Sequence, residues 1–542
     1  MDDAALHVLN LAGLTACAMI VSFIGRWIVL RQLPNIVATI PGPPSPSWIY
    51  GTYSKDRIDD TNYAGRLGNM LQLVLAENYG EHEFQWLKRY GPLYRVRGCF
   101  GENRLVVSDP HALRHILNNP SITHPPSQSK IAHLVFGKES VFCAEGEKHR
   151  RLRAAMSGGF SGRSVRTFLP VFVDVAKKVI HEWEMLCAPD TSTQLNVGTM
   201  MHHATLDIIC EAVLGFHVNT VQNPLRLGIC MSSPFPAVRS FNIATEQLMG
   251  ERTKGLERDE DKHCDLLSIM RVLGFSLCSS SEIKIVGDRA AASKTGVTSS
   301  QLIRQVPVLL LGQDTTDAVL SWAFYWVAKN PEFQHNLRQE ILSSNLADYD
   351  SMPLLNALLK NPPFTLRFEQ ETLRLFPAAP LIERWANEDC VLPLSSEIVT
   401  STGEHLRELP IRKGQFIFLA VEAYQRYLYL VLAISPALIL VNRLEHLWGP
   451  DADDFKPCRW LQSGPCTGQA LGPLAFLGGD RVCAGWRFAL LEMQVILVEL
   501  LAKFSFSLSE NSVVRGHLSG IQFPVDDEGI KGLWLSVEQV VY

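Results

Sequence analysis

Cys483 lies in a stretch whose residue types could activate a thiol, Phe476-Leu-Gly-Gly-Asp-Arg-Val-Cys-Ala-Gly485, directly before a long apolar segment. Gly479 and Gly485 would allow tight turns or the close approach of a flat ligand. The amides of a helix starting after Gly485 would favour the thiolate. Arg481 can bind a carboxylate through two hydrogen bonds, and Phe476 can shield the sulfur from water. The stretch predicts an ionised cysteine beside an anion-binding arginine; the alternative is a buried structural cysteine near a turn.

A second candidate site is Leu311-Gly-Gln-Asp-Thr-Thr316, which lies within a long helical pattern from Gln301 to Lys329. Glycine in a helix interior costs about 1 kcal/mol relative to alanine, so its presence needs a reason. A hydroxyl that bonds back to the helix carbonyls can open a local groove, and Asp314 and Thr315 place an acid beside an alcohol. The alternative is a polar patch on a partly buried helix.

Two further patterns place charged groups on one helix face. Glu371 and Arg374 are three residues apart, a spacing that allows an ion pair, although such pairs are usually exposed and contribute little. His149 and Arg153 are four residues apart in Gly146-Glu-Lys-His-Arg-Arg-Leu-Arg153. The alternative for this segment is the solvated, basic start of a helix.

The loop around Cys483 resembles the haem-binding loop of the cytochrome P450 monooxygenases. The pattern F-x-x-G-x-R-x-C-x-G matches at all its fixed positions. The resemblance implies that Cys483 is the axial thiolate of the iron of haem b and that Arg481 contacts a haem propionate. A thiolate ligand donates electron density through the iron, which favours cleavage of the O–O bond of bound dioxygen.

The same resemblance assigns roles to the other constellations. Asp314 and Thr315 resemble the acid–alcohol pair of the oxygen-activation motif and would relay protons, although Leu311 replaces a residue that is usually small. The segment from His149 to Arg153 resembles a helix that holds a propionate, with His149 in place of the usual tryptophan. Arg384 matches a further propionate-binding arginine.

The resemblance also implies a structural network. The segment Phe455-Lys-Pro-Cys-Arg-Trp460 is similar to the family's segment that supplies a second arginine to the Glu371–Arg374 pair. We therefore expect Glu371, Arg374 and Arg459 to form a buried network that fixes the core on the haem side without a catalytic role.

Composition sets limits on the class of protein. The chain has 542 residues, of which 47% are hydrophobic and 19% charged, so it can bury a large core and is not disordered. A net charge of −5 provides no electrostatic footprint for nucleic acid. Its 12 cysteines include no C-x-x-C pair, which excludes a zinc ribbon and favours a reduced, intracellular protein over a secreted disulfide scaffold.

The N-terminus predicts a membrane anchor, which we assign to residues 1–33. The chain is nearly all apolar from Ala4 to Gly25, long enough to span a bilayer of about 30 Å. Arg26 and Arg31 follow it, which places the remainder in the cytosol. We expect a single-pass protein of the endoplasmic reticulum that contacts membrane lipid. The alternatives are a cleaved signal peptide, whose start would be basic, and a buried soluble helix.

The elements that must position these residues are mainly helical. Residues 34–48 form a proline-rich hinge, expected to be a stiff, extended spacer, and residues 49–542 form one haem domain. Leu93–Arg97 and Arg104–Val107 predict two strands, and Asp109-Pro110 predicts a helix start. Asn330-Pro331 ends the long helix, and a further apolar helix runs from Phe488 to Phe504. The expected fold class is mainly α with a small β portion (α+β), a cytochrome P450 fold after one transmembrane helix.

Two segments do not fit the family pattern. Residues 427–443 form an apolar run, flanked by Arg426 and ending in Arg443, that separates Tyr424-Gln-Arg426 from Leu444-Glu-His-Leu-Trp-Gly449. This run has the features of a retained intron. Residues 361–370 separate a leucine-rich helix from Glu371 and contain Pro362-Pro363, which break a helix. In contrast, the stretch from Phe216 to Asp265 is short for the helices that usually cover the substrate pocket.

These observations predict a monooxygenase that inserts one oxygen atom of dioxygen into a hydrophobic small molecule, a terpenoid or another fungal secondary metabolite. Electrons would come from an NADPH–cytochrome P450 reductase, since the chain contains no flavin or dinucleotide motif. One alternative is a haem-thiolate isomerase or dehydratase that works without a reductase. Others are an inactive, mis-spliced product and a membrane-tethered carrier.

Overall fold

A computed structural model of the chain describes a set of ranges that includes every candidate site residue named above. These ranges are 36–44, 69–74, 76–98, 101–187, 191–214, 217–222, 311–343, 364–426, 451–461, 474–509 and 512–540, with Ser22 and Gln305. Within them, no helix is both long and apolar enough to cross a membrane. The predicted anchor (apart from Ser22), the retained-intron segment 427–443 and residues 361–363 lie outside the described residues.

Helices supply most of the described structure. They are α1 (Asn69–Val74), α2 (Glu81–Tyr90), α3 (Pro110–Asn118), α4 (Pro126–Phe136), α5 (Gly146–Ser157), α6 (Gly162–Arg166), α7 (Leu169–Leu186), α8 (Val197–Ile209), α9 (Leu311–Lys329), α10 (Pro331–Ser343), α11 (Phe364–Leu375), α12 (Val421–Arg426) and α13 (Trp486–Lys503). Short 3-10 turns occur at Ile36–Thr39, Pro457–Leu461, Leu474–Phe476 and Gly479–Arg481, and a π-helical turn at Cys210–Leu214 extends α8.

The strands form small sheets at the edge of the helical body. They are β1 (Leu93–Arg97), β2 (Asn103–Val107), β3 (Ile122–Thr123), β4 (Thr193–Asn196), β5 (Leu381–Ala386), β6 (Cys390–Val399), β7 (His405–Ile411), β8 (Phe416–Ala420), β9 (Phe504–Ser507), β10 (Arg515–Leu518), β11 (Gln522–Val525) and β12 (Trp534–Gln539). The largest sheet has the order β1-β2-β8-β5-β3; the others are β4-β12-β9, β6-β7 and β10-β11. This is the α+β class that the sequence predicts.

Several local predictions are confirmed. Strands β1 and β2 pair antiparallel, with Leu93 opposite Val107. Asp109 caps α3 by accepting hydrogen bonds from the backbone N–H groups of His111 and Ala112, both at 3.0 Å. Helix α9 ends at Lys329, directly before the Asn-Pro pair. The largest hydrophobic core of the described residues is built mainly from α7, α8, α9 and α13, whose apolar faces pack against one another.

The described part of the predicted hinge packs against the rest of the protein. Val37 and Ile40 are fully buried, and the backbone N–H of Arg95 in β1 donates to the Pro41 carbonyl at 2.9 Å. A Cβ on Gly42 would lie 1.8 Å from the Arg95 carbonyl oxygen, so only glycine fits there. Residues 36–44 are therefore docked on the sheet, because burying two apolar side chains outweighs the stiffness of the prolines.

Candidate active site

A tightly folded loop presents Cys483 at the start of α13. Gly479 has φ +66°, and a Cβ there would lie 2.1 Å from the carbonyl oxygen of Leu117 in α3. This close approach involves the protein backbone, so Gly479 is required to seat the loop on α3. The Cys483 N–H then donates to the Phe476 carbonyl at 2.8 Å. This hydrogen bond closes the loop by joining the first residue of the sequence pattern to its cysteine.

The Cys483 thiol is accessible to solvent on one side and surrounded by protein on the others. Desolvation by these surroundings raises the thiol pKa above its ordinary value, while the Gly485 N–H and the Arg153 guanidinium lower it. Gly485 is the N-cap residue of α13, as the sequence predicts. A Cβ there would make only an ordinary 3.7 Å contact with Phe160, so packing alone does not require this glycine.

Three arginines from separate elements converge on this loop. Arg153 of α5 donates to the carbonyl oxygen of Val482, next to the cysteine. Arg481 donates to the carbonyls of Val141, Phe142 and Ala144 at 3.3, 3.4 and 2.6 Å. Arg384 of β5 is almost fully buried and donates to the Glu383 carbonyl at 2.9 Å. Within the described ranges, none of the three forms an ion pair with a carboxylate.

Two histidines complete this cluster, the buried His149 and the partly buried His124. Burial, Arg481 and Arg153 lower the pKa of His149 to about 4. Burial, Arg384 and Arg481 likewise lower the pKa of His124 to about 4. Sequence reasoning missed His124, whose position after β3 carries no motif. Its ring stacks on Phe142 at 5.0 Å and hydrogen-bonds Gln128 at 3.0 Å.

The donor set of this cluster fits a ligand that carries negative charge. Buried guanidinium groups are costly unless a carboxylate or another anion neutralises them. Here the positive groups depress one another's pKa, as Arg481 does for Arg384, whose pKa falls to about 10 chiefly through burial. A dianion such as the paired propionates of haem would relieve this repulsion while placing a metal near the thiol.

Helix α9 carries the second candidate site. The Thr315 hydroxyl donates to the Leu311 and Gly312 carbonyls at 3.5 and 3.3 Å, and the Thr316 hydroxyl donates to Gly312 at 2.8 Å. The predicted back-bonding to the helix is therefore present. A Cβ on Gly312 would make only an ordinary contact, 3.6 Å from Ile209, so packing against α8 does not require this glycine.

The Asp314 side chain is 38% exposed, on the same face of α9 as the buried Asp317. Burial raises its carboxyl pKa, with Asp317 adding to this rise, while Lys531 and His202 lower it. His202 of α8 lies 3.8 Å from the Asp314 carboxylate. The spacing of Asp314 and Asp317 along one helix face could have revealed Asp317, but His202 and Lys531 come from distant parts of the chain.

The predicted structural network is confirmed. Glu371 and Arg374 are both fully buried, and Glu371 accepts from Arg374 Nε at 2.9 Å, Arg459 Nε at 2.8 Å and Trp460 Nε1 at 3.0 Å. Arg374 Nη1 also donates to the carbonyls of Gln425 and Ala452 at 3.1 and 2.6 Å. One guanidinium therefore joins the two flanks of the segment that contains residues 427–443.

Comparison with known proteins agrees with this geometry. The family model "Cytochrome P450" matches residues 64–233, 244–394 and 432–524. The chain is 26% identical to cytochrome P450 monooxygenase 205 of Postia placenta, over 94% of this chain and 93% of the relative. It is 27% identical to cytochrome P450 monooxygenase claO of Ampulloclitocybe clavipes, over 80% and 82% of the two chains. The chain therefore belongs to the cytochrome P450 family and is an oxidoreductase of the monooxygenase type.

Proposed function

We propose that this chain is a haem-thiolate monooxygenase in which Cys483 ligates the iron of haem b. Arg153, Arg384, Arg481 and His149 would hold the propionates, with Phe476, Gly479 and Gly485 shaping the loop. The observation that carries the proposal is a cluster of three arginines beside an accessible thiol, none of which forms an ion pair within the described ranges. When bound, the haem supplies the activation of dioxygen.

The protein's own groups would manage protons and water around that chemistry. Asp314 sits on a face of α9 that reaches solvent, and Thr315 follows it in the sequence with a hydroxyl only weakly held by the helix. A carboxyl whose pKa is raised is partly protonated closer to neutral pH than an ordinary aspartate. Asp314 would thus supply a proton to the Thr315 hydroxyl, which would hold it at the surface of α9 for the chemistry that the haem supplies.

The expected substrate is a hydrophobic small molecule, with terpenoids and other fungal secondary metabolites as the first classes to screen. This proposal rests on the family resemblance, because fold alone does not select a substrate. A binding screen would record the shift of the Soret absorption band when each candidate compound is added. A panel of apolar compounds that leaves the band unchanged would contradict the substrate class.

Electron supply and location follow from the same proposal. An NADPH–cytochrome P450 reductase would dock on α5, where Lys148, Arg150 and Arg151 are exposed.

Residues 1–33 would anchor the chain by a single span in the endoplasmic reticulum membrane, with the haem domain in the cytosol. Expression with and without residues 1–33, followed by alkaline extraction of membranes, tests the anchor. Extraction of the full chain into the soluble fraction would contradict it.

The first experiment is the absorption spectrum of the reduced protein with carbon monoxide. The full chain should show the red-shifted Soret band of thiolate ligation, and Cys483→Ser should lose it because an alcohol is a poor substitute for a thiolate. Cys458→Ser is the matched control, since Cys458 is also an exposed thiol. A red-shifted band that survives in Cys483→Ser would overturn the assignment of the ligand.

A haem-thiolate isomerase or dehydratase remains the first alternative. Such an enzyme rearranges its substrate without a reductase and has no need for a proton-delivering pair. Asp314 and Thr315 are both present, and this favours the monooxygenase. Product formation that continues after NADPH and the reductase are withdrawn would decide for the alternative.

An inactive, mis-spliced product is the second alternative, and one observation favours it. Glu369 lies in segment 361–370, is almost fully buried, and neither of its carboxyl oxygens has a hydrogen-bond partner of acceptable geometry. A natural core position rarely carries such a group. Haem binding that appears only after deletion of residues 361–370 or 427–443 would establish this alternative.

A further inference from the structure

A polar network joins the solvent-facing side of α8 to the acid on α9. The Nδ1 atom of His202 lies 2.7 Å from Asp317 Oδ2, and the Lys531 ammonium lies 3.2 Å from the same oxygen. Asp317 is 1% exposed, and its other carboxyl oxygen is buried without a hydrogen-bond partner. His202 is partly exposed, so the imidazole connects solvent with a carboxylate inside the protein.

The same nitrogen also faces the groups that a proton carrier needs. Gln313 directs its amide nitrogen at His202 Nδ1, while the Asp314 carboxylate lies 3.8 Å away. A neutral ring can accept from the amide at Nδ1, and a ring protonated at Nδ1 can donate to Asp317. Both protonation states of His202 therefore find a partner without rearrangement of the backbone.

We propose that His202 is a proton relay that supplies Asp314 from solvent, with Asp317 as the positioning residue that orients the imidazole. This inference rests on the proposed function, because it requires Asp314 to deliver protons. A proton from water binds Nε2, the Nδ1 proton passes to Asp314, and the ring returns to its neutral form. One rotamer change of the half-exposed Asp314, or one bridging water, closes the 3.8 Å gap.

The charged surroundings favour a relay over a metal site. The ligand atoms of His202, Asp314 and Asp317 lie within 4.8 Å of one another, a spacing that could hold a cation. Lys531, from the chain before β12, already provides the positive charge at Asp317. The groups facing His202 are thus two carboxylates from α9 and one ammonium, with His203 as its neighbour on α8 at a ring distance of 6.2 Å.

The test uses the full chain with its reductase, NADPH and dioxygen, and it needs no substrate. One NADPH and one proton reduce dioxygen to hydrogen peroxide, whereas two NADPH and two protons reduce it to two waters. His202→Gln and Asp317→Asn should raise the peroxide formed per NADPH by about threefold or more, because proton delivery slows.

His217→Gln is the matched control. His217 also holds a carboxylate at 2.7 Å, that of Glu211, but on the protein surface. A peroxide ratio in both His202→Gln and Asp317→Asn equal to that of His217→Gln would overturn the relay. If one of the two variants binds no haem, the peroxide ratio of the other variant decides. If neither variant binds haem, the network has a role in folding and the relay is rejected.

The reduced, carbon monoxide-bound spectrum separates this failure from that of the proposed function. A full chain without the thiolate band would refute the haem assignment itself. A full chain with the band, together with unchanged peroxide ratios in the variants, would refute only the relay.

Discussion

Arg384 carries a positive charge into a buried position where the described residues offer no negative partner. Its guanidinium is 3% exposed and donates to a backbone carbonyl. Burial and the neighbouring Arg481 lower its pKa to about 10, which records how unfavourable the charged form is there. A group placed in this way destabilises the empty protein and strengthens the binding of an anion.

Replacement of Arg384 by methionine should therefore have opposite effects on two properties. The haem-free protein should become more stable by about 1–4 kcal/mol, since an apolar side chain replaces an unpaired buried charge. Haem should bind more weakly by about 1.5–3 kcal/mol, because a charge-assisted hydrogen bond is lost. Thermal unfolding of haem-free protein and the rate of haem loss measure the two effects.

Arg412→Met serves as the exposed control for this change and should leave both properties unaltered. A variant Arg384→Met that weakens the haem-free protein would show that the arginine has a structural role instead.

Glu369 presents the reverse case, an acid kept neutral by burial. Desolvation raises its pKa well above the ordinary value, and the amide of Gln494 offsets only part of this rise. Between the Glu369 pKa of the unfolded chain and the higher pKa of the folded protein, the folded state therefore keeps a proton that the unfolded state has released. The stability associated with Glu369 is complete below that unfolded pKa and declines as the pH rises through the folded one.

Glu369→Leu should raise stability by about 1–3 kcal/mol near neutral pH, because a buried polar group without partners is removed. Glu369→Gln should weaken the loss of stability between about pH 5 and 8 while leaving the buried polar atoms in place. Unfolding temperatures recorded across this pH range distinguish the two variants. A Leu variant that unfolds earlier than the parent would mean that Glu369 has a partner in the working protein.

At the scale of elements, α5 separates two functions on its two faces. His149 and Leu152 are buried, whereas Lys148, Arg150 and Arg151 are exposed. In the proposed function, the buried histidine of lowered pKa would belong to the cofactor cluster, and the exposed cations would form the surface that an acidic partner contacts.

Charge reversal at Arg150 should slow electron transfer from the reductase by about threefold or more at low ionic strength, and this difference should shrink with added salt. Arg407→Glu is the matched control. Both arginines are largely exposed, and each has one carboxylate nearby, at 3.5 Å for Arg150 and 3.4 Å for Arg407. Equal rates for the two variants would place the docking surface elsewhere.

Elements specified by neighbouring residues could be predicted from the sequence, whereas contacts between distant segments could not. Asp109 and Pro110 start α3 through a local cap, so the sequence is sufficient there. The residues of the Cys483 loop, Phe476–Gly485, are consecutive, so the sequence pattern alone identifies them. His124 and His202 join their sites only through the packing of separate elements, and the docking of Val37 depends on a sheet formed later in the chain.

At the scale of the whole molecule, the two predicted insertions, residues 361–370 and 427–443, have different expected effects. Deletion of residues 361–370 would place Leu359 where Glu369 is buried, so we expect a clear gain in stability. Deletion of residues 427–443 shortens a chain segment to roughly a third of its length, which changes the cost of closing it by only about 1 kcal/mol.

Haem content and unfolding temperature of the two deletion variants test this ranking. We expect the parent to bind haem, the 427–443 deletion to behave much like the parent, and the 361–370 deletion to unfold at a higher temperature. If the parent protein binds no haem but the 427–443 deletion variant does, the predicted small free-energy cost of the longer segment is wrong.

One nitrogen of Arg374 donates to the carbonyls of both Gln425 and Ala452. Because this contact fixes both flanks, the fold should tolerate changes in the length and sequence of the segment between them. A shifted splice boundary there would lengthen the protein while Arg374 still joined the two flanks, so the altered gene product would keep its fold. The same position is an entry point for protein engineering. A small reporter domain, inserted after Arg426, would be carried by an enzyme whose haem side remains fixed by one buried guanidinium.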